Sequence, residues 1–97
     1  MLVLQSGMMD VLVFGDDGEL LKRETADARS PVVQIAPGAI HGCIIRAPNT
    51  LVLEVKPGPY RSNEFVDWAP EEGSGRVHDL MSWASSATVG QVWPGHE

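Results

Sequence analysis

Hydrophobic positions fall in short runs along the first two thirds of the chain, with polar turn formers between them. LVLQS (2–6) and MMDVLVF (8–14) meet at Gly7, a pattern that predicts one long strand with a bend or bulge at the glycine. GDDG (15–18) is a strong hairpin signal, because Asp and Gly tolerate the left-handed conformations such turns need, and ELLKRET (19–25) returns as the partner strand. PVVQI (31–35), IHGCIIR (40–46) and TLVLEVK (50–56) are further strand candidates. The turns between them are APG, where Pro37 presets one position and Gly38 supplies positive φ at the next, and APN. Five or six strands at this spacing predict an all-β fold, a β-sandwich or small barrel, and leave no crossover helices for a parallel α/β sheet.

The pattern changes at Pro57. PGPYRSNEFVDWAPEEGSG is rich in Pro, Gly and acidic residues, with Tyr60, Phe65 and Trp68 spaced through it, which predicts a long segment lying against the sheet. RVHDLMSWASS (76–86) places Val77, Leu80, Met81 and Ala84 on one helical face and predicts a short C-terminal helix. QVWPGHE at the end is expected to be a loose tail unless Trp93 docks. The division expected is a β-domain over 1–73 and an extension with helix and tail over 74–97.

Charge and composition narrow the function classes. Ninety-seven residues make one small core, so any pocket is shared with that core or with a partner subunit. A net charge of −6, with Arg23, Arg29, Arg46, Arg61 and Arg76 scattered along the chain, argues against nucleic acid as partner. No run approaches the roughly 18 apolar residues of a membrane helix, and the opening has no basic region or cleavage pattern of a leader. The single cysteine, Cys43, cannot close an intramolecular disulfide. A cytoplasmic protein without membrane contact is the expectation.

Three blocks in order, PGAIHG (37–42), LEVKPGPY (53–60) and DWAPEEG (67–73), resemble the cupin superfamily, and within it the small WbuC-type cupin-fold metalloproteins of bacterial surface-polysaccharide gene clusters. Pro37, Gly38 and His41 give the shortened P-G-x-x-H form of the second cupin motif. The resemblance implies a divalent transition metal held by two histidines and a glutamate of a first motif together with the second-motif histidine, here His41. Gly7 matches the glycine that closes the first motif, and counting back from it places the glutamate just before Met1. What the resemblance implies for this chain is therefore a truncated cupin: an antiparallel β-sandwich or partial jelly roll without its first metal motif and without one or two strands. One imidazole does not hold a metal against water, so the expectation is that no cofactor is retained. Exposed edges and apolar surface then predict a homodimer, by edge pairing or by exchange of the N-terminal strand.

The candidate binding residues are His41, Cys43, Glu54, Tyr60 and Trp68. His41 and Cys43 share one strand face by period-two alternation. They are either a ligand pair completed across a dimer by His78, His96 or Glu54, or a hydrogen-bonded imidazole beside a small apolar filler. Glu54 is either a solvated strand carboxylate or a pocket acid or base whose pKa burial raises and Lys56 opposes. Tyr60, Phe65 and Trp68 either line a pocket mouth, where they stack on a flat ligand, or pin the segment to the sheet. GSG (73–75) lacks the strand and lysine of a phosphate loop, and Asp16 and Asp17 are turn residues. The leading expectation is a module that binds a small polar molecule such as a sugar derivative; the runner-up is a metal-dependent enzyme acting on a carbohydrate-like substrate.

Overall fold

The apolar opening does not continue as one strand through Gly7. In the computed structural model, which describes residues 1–56, 66–71 and 73–95, β1 (Leu2–Ser6) and β2 (Met9–Phe14) belong to different sheets. Gly7 carries the crossing at φ 87°, and a Cβ there would lie 2.6 Å from Thr50 Cα. Only glycine meets both demands, the left-handed backbone and the close approach of another main chain. Thr50 staples the crossing: its Oγ1 donates to the Ala47 carbonyl at 2.7 Å and accepts the Met8 N–H at 3.3 Å.

The remaining elements are β3 (Leu20–Ala26), β4 (Val32–Val33), β5 (Ile40–Ile45), β6 (Leu51–Glu54) and α1 (Arg76–Ser86). They form two three-stranded antiparallel sheets, β4-β1-β6 and β3-β2-β5. Among the described residues the fold is thus mostly β with one short helix. GDDG closes the β2–β3 hairpin, with the Glu19 N–H donating to Asp17 Oδ1 at 3.0 Å.

β2 is covered on both faces, which explains why MDVLVF reads as a nearly continuous apolar run. Met9 and Val11 point between the sheets and pack with Leu2, Leu4, Ala26 and Val33. Leu12 and Phe14 point the other way, into a second core with Leu20, Ile44, Ala84 and Ala87 beneath α1. Helix and tail therefore share a core with the second sheet.

Two local expectations change. Met81 is 42% exposed, whereas Trp83 is half-buried against the second core, so the buried stripe of α1 is rotated toward the larger aromatic side chain. Residues 90–93 are no loose tail. The Leu20 N–H donates to the Gln91 carbonyl at 2.8 Å, the Trp93 N–H donates to the Gly18 carbonyl at 3.1 Å, and Trp93 is buried. Gly18, at φ 87°, lets this segment close over the hairpin, since a Cβ there would sit 3.4 Å from Trp68 and 3.6 Å from Trp93. Among the described residues no helix is long and apolar enough to cross a membrane.

Candidate functional site

Cross-strand register decides which side chains face the gap between the sheets. On β5, Ile45, Cys43 and His41 stand opposite Met9, Val11 and Val13 of β2. Met9 and Val11 are in the intersheet core and Cys43 packs against it, so this face of β5 looks inward. His41 lies two residues further along the same face, where the cover ends, and is exposed. From the facing sheet, Glu54 stands opposite Leu2, a member of the same core, and so shares the inward face of β6. Lys22 joins the His41 row through Val13, and Glu24 the Cys43 row through Val11. The result is a polar mouth over an apolar floor: His41, Glu54, Lys56, Lys22 and Glu24 above Cys43 and Val11.

The electrostatics of the mouth are coupled. Glu54 accepts a hydrogen bond from Lys56, with an Nζ–Oε1 separation of 2.9 Å, and this bond, aided by the charges of Lys56, His41 and the α-amino group, holds its carboxyl below the usual range. Glu54 is thus a carboxylate at neutral pH rather than an acid poised by burial, because the lysine beside it outweighs desolvation. Burial pushes the Cys43 thiol up, and the Glu54 charge pushes it further, so Cys43 is a protonated, weakly nucleophilic thiol. His41 Nδ1 lies 3.0 Å from the Ala39 carbonyl, which only accepts, so Nδ1 carries a proton toward it and Nε2 faces away from this bond. Lys22 and Glu24 pair at 3.1 Å.

The arrangement can hydrogen-bond a small polar molecule with donors and acceptors of both signs. Among the described residues no three His, Cys, Asp or Glu side chains are grouped closely enough to hold an ion. Of the residues proposed to complete such a set across a dimer, His78 is exposed on α1, and His96 lies outside the described residues.

Trp68 is placed elsewhere. Its ring packs 5.2 Å from Phe14, on the face of the second sheet opposite to His41, within an aromatic chain in which Phe14 meets Trp83 at 6.4 Å and Trp83 meets Trp93 at 5.6 Å. Here it pins residues 66–71 over the second core. Tyr60 and Phe65 lie outside the described residues. A cavity of about 440 Å³ opens between residues 66–71 and α1, lined by Val66, Pro70, Val77 and Leu80 among others, and contains none of the mouth residues. Among the described residues its ionisable lining groups are Asp67 and Glu71.

A second polar cluster has no counterpart in the sequence reading. Asp10 is 5% exposed on β2, facing α1. Its Oδ2 accepts from Arg23 (Nε 3.0 Å, Nη2 2.8 Å) and from Arg46 (Nε 2.9 Å, Nη2 2.7 Å), while Oδ1 accepts from Thr25 Oγ1 at 2.8 Å. The same guanidiniums reach the carbonyls at the C-terminal end of α1: Arg23 donates to Ala84, Ser85 and Ala87, and Arg46 to Ser85. Burial works to raise the Asp10 pKa, but the bonds from Thr25, Arg46 and Arg23 outweigh it and leave it lowered. An acidic residue inside an apolar strand, with an arginine on each neighbouring strand, is the signal that could have revealed this cluster.

Compared with protein-family models, curated proteins and solved structures, the chain finds no match.

Proposed function

We propose that this chain is a cupin-like module that binds a small polar molecule, such as a sugar derivative, at the mouth between its two sheets. The observation that carries the reading is that His41, Cys43 and Glu54, which lie on two strands of different sheets, turn to one inward face and influence each other electrostatically. His41 and the Glu54 carboxylate would hydrogen-bond ligand hydroxyls, Lys22 and Lys56 would donate, and Cys43 with Val11 would supply an apolar floor. Sites of this kind combine a few convergent polar groups with apolar lining. The ring of Trp68, on the far side of the second sheet, takes no part.

The test is a titration with neutral, amino and acidic monosaccharides followed by amide and side-chain NMR shifts. Saturating shifts confined to residues 41–43, 22–24 and 54–56, and lost in His41→Ala, are expected. Saturating shifts centred on residues 66–71 and α1 would move the site to the cavity there.

The alternative is a metal-dependent enzyme acting on a carbohydrate-like substrate. One observation favours it: an imidazole whose Nδ1–H is held by a backbone carbonyl is oriented as metal-binding histidines are. The further ligands would have to come from another chain. Metal content per chain after growth with mixed divalent ions separates the two readings, a near-stoichiometric metal lost in His41→Ala favouring the enzyme.

A further inference from the structure

The outward face of the sheet β4-β1-β6 is not what an antiparallel sheet turns to water. Such sheets ordinarily alternate apolar residues inward with polar residues outward. Here the inward residues are Leu2, Leu4, Val33 and Val52, yet the outward row Val32–Val3–Leu53 is apolar as well. Met1 and Val55 extend it at one end through mutual backbone hydrogen bonds, and Leu51 extends it at the other. Exposures are high: 62% for Leu51, 55% for Leu53, 47% for Val32, 43% for Val55 and 39% for Met1. The polar side chains that share the face are Gln5 and Gln34, so among the described residues it bears no charged side chain, in a chain whose net charge is −6.

We propose that this face is the interface of a two-fold homodimer in which the β4-β1-β6 sheets of two copies stack face to face. A second copy is the partner the face fits. With no charged side chain among its described residues, the face offers little to select a complementary charged surface or an anionic lipid headgroup. It can meet its own copy without burying an unpaired charge, and interface cores are depleted of charge in this way. The apolar surface is on the order of 400 Å² per copy, a patch size that on monomeric proteins is often an interaction site. Two copies with their polar rims bury about 1,000 Å², the lower bound for a specific interface. Stacking of this type brings sheets about 10 Å apart with strands inclined by about 30°. Edge-to-edge pairing at β6 would leave the face exposed and lengthen it. Exchange of β1 would re-form the same ladders to β4 and β6 between copies and would still leave the outward face uncovered.

The interface is independent of the ligand proposed at the mouth, and the two can fail separately. Sedimentation velocity of the full chain across a concentration series is the test. The mass is expected to rise toward twice 10.5 kDa, and added salt to strengthen the dimer by screening two acidic copies. Leu53→Lys and, separately, Val32→Lys are expected to weaken dimerisation at least about tenfold with unchanged circular dichroism, while His41→Gln leaves it unaltered. Should either lysine variant misfold, Leu53→Gln gives the same readout without a buried charge. A wild-type monomer at all concentrations, or a dimer indifferent to every substitution at positions 32 and 53, overturns the proposal.

Discussion

Arg46 is 36 residues from Asp10 along the chain, and its Nη2 lies 2.7 Å from the Asp10 carboxylate. The pair spans β2 and the end of β5, and with Arg23 on β3 it draws all three strands of one sheet onto a single buried carboxylate. Each guanidinium keeps donors for the carbonyls that end α1, where no basic residue of the helix itself offsets the dipole. A helix of eleven residues has little stability alone, so these bonds together with the aromatic chain fix where it lies.

Asp10→Asn is expected to destabilise the protein by about 3 kcal/mol, since it leaves two guanidiniums beside a neutral group in a part-buried site. Urea unfolding at neutral pH measures it. The pH dependence has a definite sign. The folded-state pKa of Asp10 is depressed, so its contribution is complete above the unfolded value of about 4 and is lost as pH falls through the folded value. Wild-type stability should fall steeply in acid, and the Asp10→Asn profile should be flatter there. Parallel profiles would assign the acid loss to other carboxylates.

Gly7→Ala tests the crossing between sheets. Alanine must adopt φ near 87° and place its Cβ against the backbone of Thr50. Strain of this kind costs about 1–3 kcal/mol before any displacement of Thr50. A melting temperature lowered by several degrees is expected, whereas Gly42→Ala, where a Cβ meets nothing within 4 Å, should change it little.

Much of this fold was legible because local signals and tertiary packing agree. The strand runs, the GDDG hairpin and the helix over 76–86 each combine a periodic apolar pattern with a punctuating turn or loop. Gly7 was legible as a bend, but not as a change of sheet, because strand partners are set by residues far away in sequence. His41, Cys43 and Glu54 were legible as residues alternating on their own strands. That both strands turn these positions to one gap depends on the pairings of β1 and β2, which periodicity does not encode. Trp68 as a member of a shared pocket shows the same gap, since its role depends on Phe14 in a strand more than forty residues earlier, and the part played by Asp10 depends on which strands flank β2.

The coupling between Cys43 and Glu54 has a direct chemical readout. Because the carboxylate raises the thiol pKa, Glu54→Gln should lower it and speed alkylation by iodoacetamide at pH 8 by roughly twofold, burial still keeping the thiol slow. The rate, followed by intact mass, needs no knowledge of the ligand. An unchanged rate would mean that the two side chains do not share the mouth.

Trp68 and Trp93 each bury an indole Nε1 that has no hydrogen-bond partner among the described residues. A buried donor left unpaired costs about 1–3 kcal/mol, an amount comparable to what phenylalanine forfeits in packing area at such a site. Trp68→Phe and Trp93→Phe are therefore expected to cost less than about 1.5 kcal/mol each, while Trp93→Ala, which empties the space over Gly18 and beside Trp83, costs about 3–5 kcal/mol. Chemical unfolding followed by circular dichroism distinguishes these outcomes. If Trp68→Phe costs as much as an alanine substitution, its N–H is satisfied by an ordered water, and the aromatic cover of the second core is a hydrated joint rather than a dry one.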